Sequence, residues 1–263
     1  MRKSIFLLLA FLVTTTLAIA QKDKTKNKDK EDKEDNESGW DSGWDGKRVK
    51  GTGSVVKENR NISGFTGVES AISADIVLKQ GSTFKVTVEG QKNILDLLKT
   101  ELKGNSLKIS FEKGYSINYK DNLKIYVEAP NFEYLGMSGS GNVHVDGVLS
   151  GTKLDINISG SGDFDLNNIK YADLDLGISG SGDVKIAGST ERVVMHISGS
   201  GDVKAGDLKA QSVRCQVSGS GNITCNAQKS LDAIVSGSGD IRYSGKPASI
   251  KTKVTGSGDI DAF

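Results

Sequence analysis

One glycine-rich phrase recurs seven times in the second half of the chain, and no other feature restricts the fold as strongly. Each copy reads Ser-Gly-Ser-Gly-Asp or a close variant, and successive copies begin about twenty residues apart. A loop that binds one phosphate group needs such a phrase once, whereas a near-constant repeat of this length indicates a solenoid. The copies begin at Ser138, Ser159, Ser179, Ser198, Ser218, Ser236 and Thr255.

Hydrophobic and polar residues alternate on both sides of each copy. Leu154, Ile156 and Ile158 precede the second copy, and the polar Asp155 and Asn157 lie between them. A period of two is typical of a strand with one buried face. Each repeat therefore reads as strand, glycine-rich corner, strand and second polar corner. Stacked repeats of this kind predict an all-β fold, a parallel β-helix or closely related β-solenoid with coils of about twenty residues. An array of β-hairpins is the alternative, although hairpins do not demand a constant period.

The part of the chain before the repeats is less regular. Residues 71–78 read AISADIVL and look like a worn copy of the phrase, and several further segments alternate as strands do. Residues 93–102 have apolar side chains at helical spacing and predict one short helix. We expect irregular N-terminal coils over residues 49–136 and regular coils over residues 137–263.

The first twenty residues have the pattern of a signal peptide. Arg2 and Lys3 form a basic start, Ile5–Val13 is apolar, and Ala18–Ala20 offers small residues for cleavage before Gln21. The apolar run is too short to span a bilayer, so no transmembrane segment is expected after cleavage. The pattern predicts export to the periplasm, the cell surface or the medium.

Residues 21–48 are predicted to be a disordered linker. The segment from Lys22 to Glu37 mixes charges of both signs and has no apolar residue to bury. Trp40 and Trp44 follow in a tandem Ser-Gly-Trp-Asp sequence and are candidate ligand contacts, although linker aromatics more often pack on the next domain. The net charge of +1 gives no electrostatic reason to expect nucleic-acid binding.

Each corner ends in an acidic or amide residue, and stacked coils would place these residues in one column. Closely spaced carboxylates could bind calcium, since Gly-x-Gly-x-Asp turns do so in other β-rolls. The structural interpretation is favoured: Asn replaces Asp twice, glycine supplies a positive φ at the corner, and the side chains bond to nearby backbone. The column comprises Asp163, Asp183, Asp202, Asp240 and Asp259, with Asn142 and Asn222 at equivalent positions.

Two cysteines and two histidines are the remaining candidates for chemistry. Cys215 and Cys225 occupy core-facing positions on either side of one corner, so they form a disulfide or serve as small apolar residues. His144 and His196 are predicted on outward positions of different strands. Nothing in the pattern assembles a catalytic triad, a metal cluster or a cofactor site, so we assign no catalytic residue, metal or cofactor.

The segment from Gly64 to Gly90, the short helix, the sequence SLKIS and the glycine-rich repeats together resemble a known family. This is the auto-transporter adhesin head domain, also called the head GIN domain, found mainly in exported Bacteroidetes proteins. The resemblance covers roughly residues 49–263. It implies a β-helical exported protein of the adhesin type, and it transfers no functional residue because the family's activity is largely unassigned.

The expected function is therefore that of a non-catalytic cell-envelope protein that binds a glycan or a surface protein. A polysaccharide lyase or glycosidase on the same fold and a purely structural envelope protein are the alternatives. Self-association is a further possibility, because the last coil ends in a sheet edge that could pair with another chain. Lys251 and Lys253 on that edge would oppose such pairing.

Overall fold

The regular part of the protein is a stack of parallel β coils. The computed structural model describes residues 46–119 and 123–263. With 64% strand and 2% helix it is nearly all β, and the stacked coils form a β-solenoid of about six turns, which confirms the predicted fold class. The strands of this part are β10 (Tyr134–Met137), β11 (Asn142–Val145), β12 (Leu149–Ile158), β13 (Phe164–Ile178), β14 (Val184–Ile197), β15 (Val203–Val217), β16 (Ile223–Val235), β17 (Ile241–Gly245), β18 (Ser249–Val254) and β19 (Ile260–Ala262).

The register between coils is the one that the repeat predicts. Ile158 on β12 pairs with Ile178 on β13, which pairs with Ile197 on β14. These three side chains are almost completely buried, and the polar residues beside them face outward. Burial of each such isoleucine contributes about 1.5–3 kcal/mol, so the aliphatic columns are the main source of stability.

The corners also bond to one another through the backbone. The N–H of Ser181 donates to the carbonyl oxygen of Gly160 at 3.1 Å, and the N–H of Ser179 donates to that of Ile158 at 2.9 Å. Equivalent bonds recur at the following corners. Successive corners therefore stack as closely as the strands do.

The reason for glycine at these corners differs from the expectation. None of the repeat's Ser-Gly-Ser-Gly glycines has a φ in the left-handed region, so the prediction of a positive φ was wrong. Glycine is needed because successive corners touch. A Cβ atom on Gly180 would lie 2.0 Å from the carbonyl oxygen of Gly160, and one on Gly182 would lie 2.1 Å from that of Gly162.

The N-terminal coils are stacked in an order that differs from their order in the chain. The coil of β3 (Gly67–Ser70) and β4 (Asp75–Gln80) lies between that of β10 and β11 and that of β7 (Ser106–Phe111) and β9 (Lys124–Ala129). The predicted worn copy, residues 71–78, thus continues the stack, with Asp75 paired with Asn142.

The elements here are β1 (Lys47–Lys50), β2 (Val55–Arg60), β3 (Gly67–Ser70), β4 (Asp75–Gln80), β5 (Lys85–Gln91), α1 (Lys92–Leu95), β6 (Leu98–Lys103), β7 (Ser106–Phe111), β8 (Tyr115–Asn118) and β9 (Lys124–Ala129). Strand β1 begins at Lys47, two residues before residue 49, where the N-terminal coils were expected to begin.

The short helix is present but ends earlier than predicted. Helix α1 covers Lys92–Leu95, and from Leu98 onward the predicted helix is instead β6, paired antiparallel with β7. Gly104, with a φ of 59°, makes the tight turn between the two strands. The Gly-Asn pair between two apolar segments is a hairpin signal that competes with the helical spacing of the leucines.

The close approach at the corners makes a specific prediction about stability. Gly180→Ala should destabilise the protein by about 1–3 kcal/mol, because its Cβ must displace the backbone of the preceding corner. Gly180→Asn should be no better tolerated than Gly180→Ala, since asparagine relieves a left-handed φ but not a steric contact. Urea unfolding of both variants measures this, with the exposed neighbour Ser181→Ala as control. Stability equal to that of the control would contradict the steric explanation.

Candidate functional site

The acidic column of the corners acts as a hydrogen-bond ladder. The Oδ1 atom of Asp163 accepts the backbone N–H of Asp183 at 2.9 Å, and Oδ1 of Asp183 accepts that of Asp202 at 2.8 Å. In the next coil, Oδ1 of Asp202 accepts the backbone N–H of Asn222. Asn222 in turn accepts the N–H of Asp240, and Asp240 accepts that of Asp259. Each side chain thus binds the backbone of the next coil.

This ladder explains why asparagine and aspartate interchange in the column. Both side chains offer an Oδ1 acceptor, and Asn222 uses its Nδ2 group as well, donating to Asp202 at 3.0 Å. Within the described residues, no group of three or more His, Cys, Asp or Glu side chains is placed to hold a metal ion. Calcium binding by the column stays the less favoured alternative, and the ion would have to share oxygens that already accept backbone hydrogen bonds.

The ladder predicts how substitutions at Asp183 behave. Asp183→Asn keeps the acceptor and should leave the free energy of unfolding nearly unchanged, whereas Asp183→Ala should lower it by about 1 kcal/mol. Chemical unfolding of the two variants checks this. If the column bound calcium instead, Asp183→Asn would be as harmful as Asp183→Ala, and millimolar calcium would raise the melting temperature of the unmodified protein only.

The two cysteines lie in the core of one coil, on the strands that flank its corner. Cys215 on β15 and Cys225 on β16 are both buried free thiols. A hydrogen bond with Cys225, together with burial, raises the pKa of the Cys215 thiol. A thiol held in its protonated form is a poor nucleophile, which fits a packing role. A disulfide between the two residues stays the alternative to this packing role.

The other sequence candidates are not brought together by the fold. Trp40 and Trp44 lie outside the described residues. His144 on β11 and His196 on β14 are exposed and belong to different columns. Asp165 and Lys185 are paired on adjacent coils, so the outward column beside the corners mixes charges of both signs.

A cleft that the sequence did not indicate lies beside the first two corners. It has a volume of about 640 Å³. One wall is formed by the stacked corners, including Ser73, Asp75 and Asn142. The opposite wall is formed by the end of β7 and by β8, which leaves the solenoid and pairs with β1. We call this cavity the aromatic cleft, after the rings of Phe111, Tyr115 and Tyr119 that line it.

Two of the three rings of the aromatic cleft are positioned by specific contacts. Phe111 and Tyr119 pack edge to face, with ring centroids 5.6 Å apart. The Tyr119 hydroxyl donates to the backbone oxygen of Ser73 at 2.6 Å, which joins the two walls. Burial raises the pKa of Tyr119 to about 12, so this hydroxyl stays a donor at physiological pH. Tyr115 is half-buried.

Polar groups from the corners complete the aromatic cleft. Asp75 accepts a hydrogen bond from Nδ2 of Asn142 at 2.9 Å, which orients both side chains. Carboxylate and amide oxygens beside aromatic rings can bind a ligand that has hydroxyl groups and an apolar ring face. The available sequence signal was Tyr115, Ile117 and Tyr119 at alternating positions in a polar segment.

The sequence of the solenoid matches a known protein family. A family model described as "putative auto-transporter adhesin, head GIN domain" matches residues 64–247. The chain belongs to the head GIN domain family. The match covers the coils of β3 and β4 and nearly all of the regular stack, so the resemblance found in the sequence is confirmed. No match was found among functionally curated proteins.

Several solved structures share the head GIN fold. A "putative adhesin" from Bacteroides fragilis is 29% identical, with a TM-score of 0.79 over 82% of this chain and 100% of that one. A "putative lipid binding protein" from Parabacteroides distasonis is 27% identical, with a TM-score of 0.68 over the same shares. A "putative adhesin" from Parabacteroides merdae, 22% identical with a TM-score of 0.68, covers 82% of this chain and 99% of its own, and shows the same fold. Within the described residues, this head GIN domain has no helix of sufficient length and hydrophobicity to cross a bilayer.

Proposed function

We propose that this head GIN domain is the glycan-binding head of an exported cell-envelope protein, and that the glycan occupies the aromatic cleft. The observation that carries the proposal is the pairing of half-buried rings with oriented polar groups in one cavity. Its volume, about 640 Å³, falls within the range of small-ligand sites. The adhesin-like character of the family and the predicted signal peptide of residues 1–20 support export to the envelope.

The lining of the aromatic cleft favours a sugar over the other partners. An acyl chain would exclude water from Asp75, Asn142 and the serine hydroxyls without offering them hydrogen bonds, and removing polar groups from water in this way is costly. A protein surface would more naturally meet the flat columns of the regular coils than a narrow cavity. A sugar ring can place its apolar face on Tyr115 and its hydroxyls on Asp75 and Asn142.

Binding without turnover is the expected behaviour. Glycosidases use two carboxyl groups placed about 5–9.5 Å apart. Among the described residues that line the aromatic cleft, Asp75 is the one carboxylate. The family and the matched structures are described as adhesins or as a lipid-binding protein rather than as enzymes.

A glycan array probed with the mature protein, followed by calorimetry on the best glycan, tests the proposal. Tyr115→Ala should weaken binding about tenfold or more, because it removes a stacking surface. Asp75→Ala should weaken it by a similar factor through lost hydrogen bonds. Tyr126→Ala is the matched control, since this tyrosine lies outside the aromatic cleft, on β9.

Three results would overturn the proposal. If no glycan binds, a purely structural role is favoured. If phospholipid vesicles bind and glycans do not, the aromatic cleft is a lipid-binding site. Release of reducing sugar from a bound glycan would replace binding with the enzymatic alternative.

A further inference from the structure

The last coil of the solenoid has an uncovered edge. Among the described residues, β18 pairs only with β16, and β19 pairs only with β17. Ile250 and Val254 are 47% and 46% exposed, whereas Leu231 and Val235, which occupy the same columns one coil earlier, are 2% and 0% exposed. The free edges of β18 and β19 and the end of the aliphatic core are therefore exposed on the same face of the solenoid.

The opposite end of the stack is covered differently. There β5 runs antiparallel to β9, β2 runs antiparallel to β5, and β6 runs antiparallel to β7. Helix α1 buries Ile94 and Leu95 beside these strands. Antiparallel strands can thus end a parallel stack, which suggests the geometry that would cover the edge of the last coil.

We propose that this edge is the interface of a symmetric dimer, in which β18 of each copy pairs antiparallel with β19 of the other. The twofold axis passes through the last corner at Ser257. A coil rises by one strand spacing, about 4.8 Å, per turn. Strand β19 therefore lies further along the solenoid axis than β18. The twofold axis places β18 of each copy against β19 of the other, so this difference in height is matched at both pairs. This inference goes beyond glycan binding and does not depend on the aromatic cleft.

The register centred on Ser257 matches the side chains on both faces. On the core side, Val254 lies opposite Ile260 of the second copy, and Thr252 lies opposite Ala262. On the outer side, Lys253 lies opposite Asp261 of the second copy.

Charge selects this register over the simplest competitor. Pairing β18 with β18 of the second copy so that Thr252 faces itself also keeps inward residues together, with Ile250 opposite Val254. Lys251 would then lie opposite Lys253 twice, and like charges directly opposite are destabilising. The expectation that these lysines oppose self-association applies to that arrangement. In the register centred on Ser257, the Lys253–Asp261 pair forms twice and favours association.

Charge reversal tests the arrangement in the full mature chain, by analytical ultracentrifugation at low ionic strength, where exposed ion pairs are least screened. Lys253→Asp or Asp261→Lys alone should raise the dimer dissociation constant about tenfold or more, since two attractive pairs become repulsive. The double variant Lys253→Asp/Asp261→Lys should return the dimer dissociation constant to that of the unmodified protein. Lys209→Asp, on an exposed position of β15, is the control and should change nothing.

Cross-linking tests the position of the axis. Ser257→Cys should form a disulfide between copies, because the axis places this residue opposite itself. Ser238→Cys, the equivalent exposed serine one coil earlier, should not. The inference is overturned if the protein stays monomeric at all concentrations, if the double variant fails to restore association, or if both cysteine variants cross-link equally.

Discussion

Backbone contact between successive corners is the constraint on which the rest of this structure depends. The carbonyl oxygen of Gly160 lies only 2.0 Å from the position that a Cβ atom of Gly180 would take, and the same contact repeats up the stack. Because only glycine permits it, the corner spacing equals the strand spacing, and every coil keeps the register of the one before. The aliphatic columns and the aspartate ladder are both consequences of that register.

The same regularity limits what the repeated surface can do chemically. The column from Asp163 to Asp259 looks like a row of available carboxylates, yet each side chain but the last accepts a backbone N–H from the next coil. Recognition is therefore better sought where the repeat is interrupted. The aromatic cleft exists because β8 leaves the solenoid and pairs with β1, which places rings against the first corners.

The two ends of the stack show how a parallel solenoid can be ended. At the N-terminal coils, strands of opposite direction cover the core, and the chain doubles back so that β3 and β4 lie between later coils. At the coil of β18 and β19, the apolar columns reach an edge that none of the described strands covers. A second copy related by a twofold axis would supply strands of opposite direction there as well.

The sequence by itself determined the repeating unit, the inward and outward faces of each strand, and the equivalence of Asp and Asn at the corner. These features are local or periodic: alternation reports burial directly, and a constant repeat implies the register. The tertiary structure decided why the corners need glycine, since sequence cannot separate an unusual φ from a steric contact twenty residues away. It also decided that the segment from Leu98 pairs as a strand rather than continuing the helix, because pairing with β7 outweighs local propensity. The aromatic cleft joins Ser73 to Tyr119 and Asp75 to Asn142. No short-range pattern encodes contacts between segments so far apart in the chain.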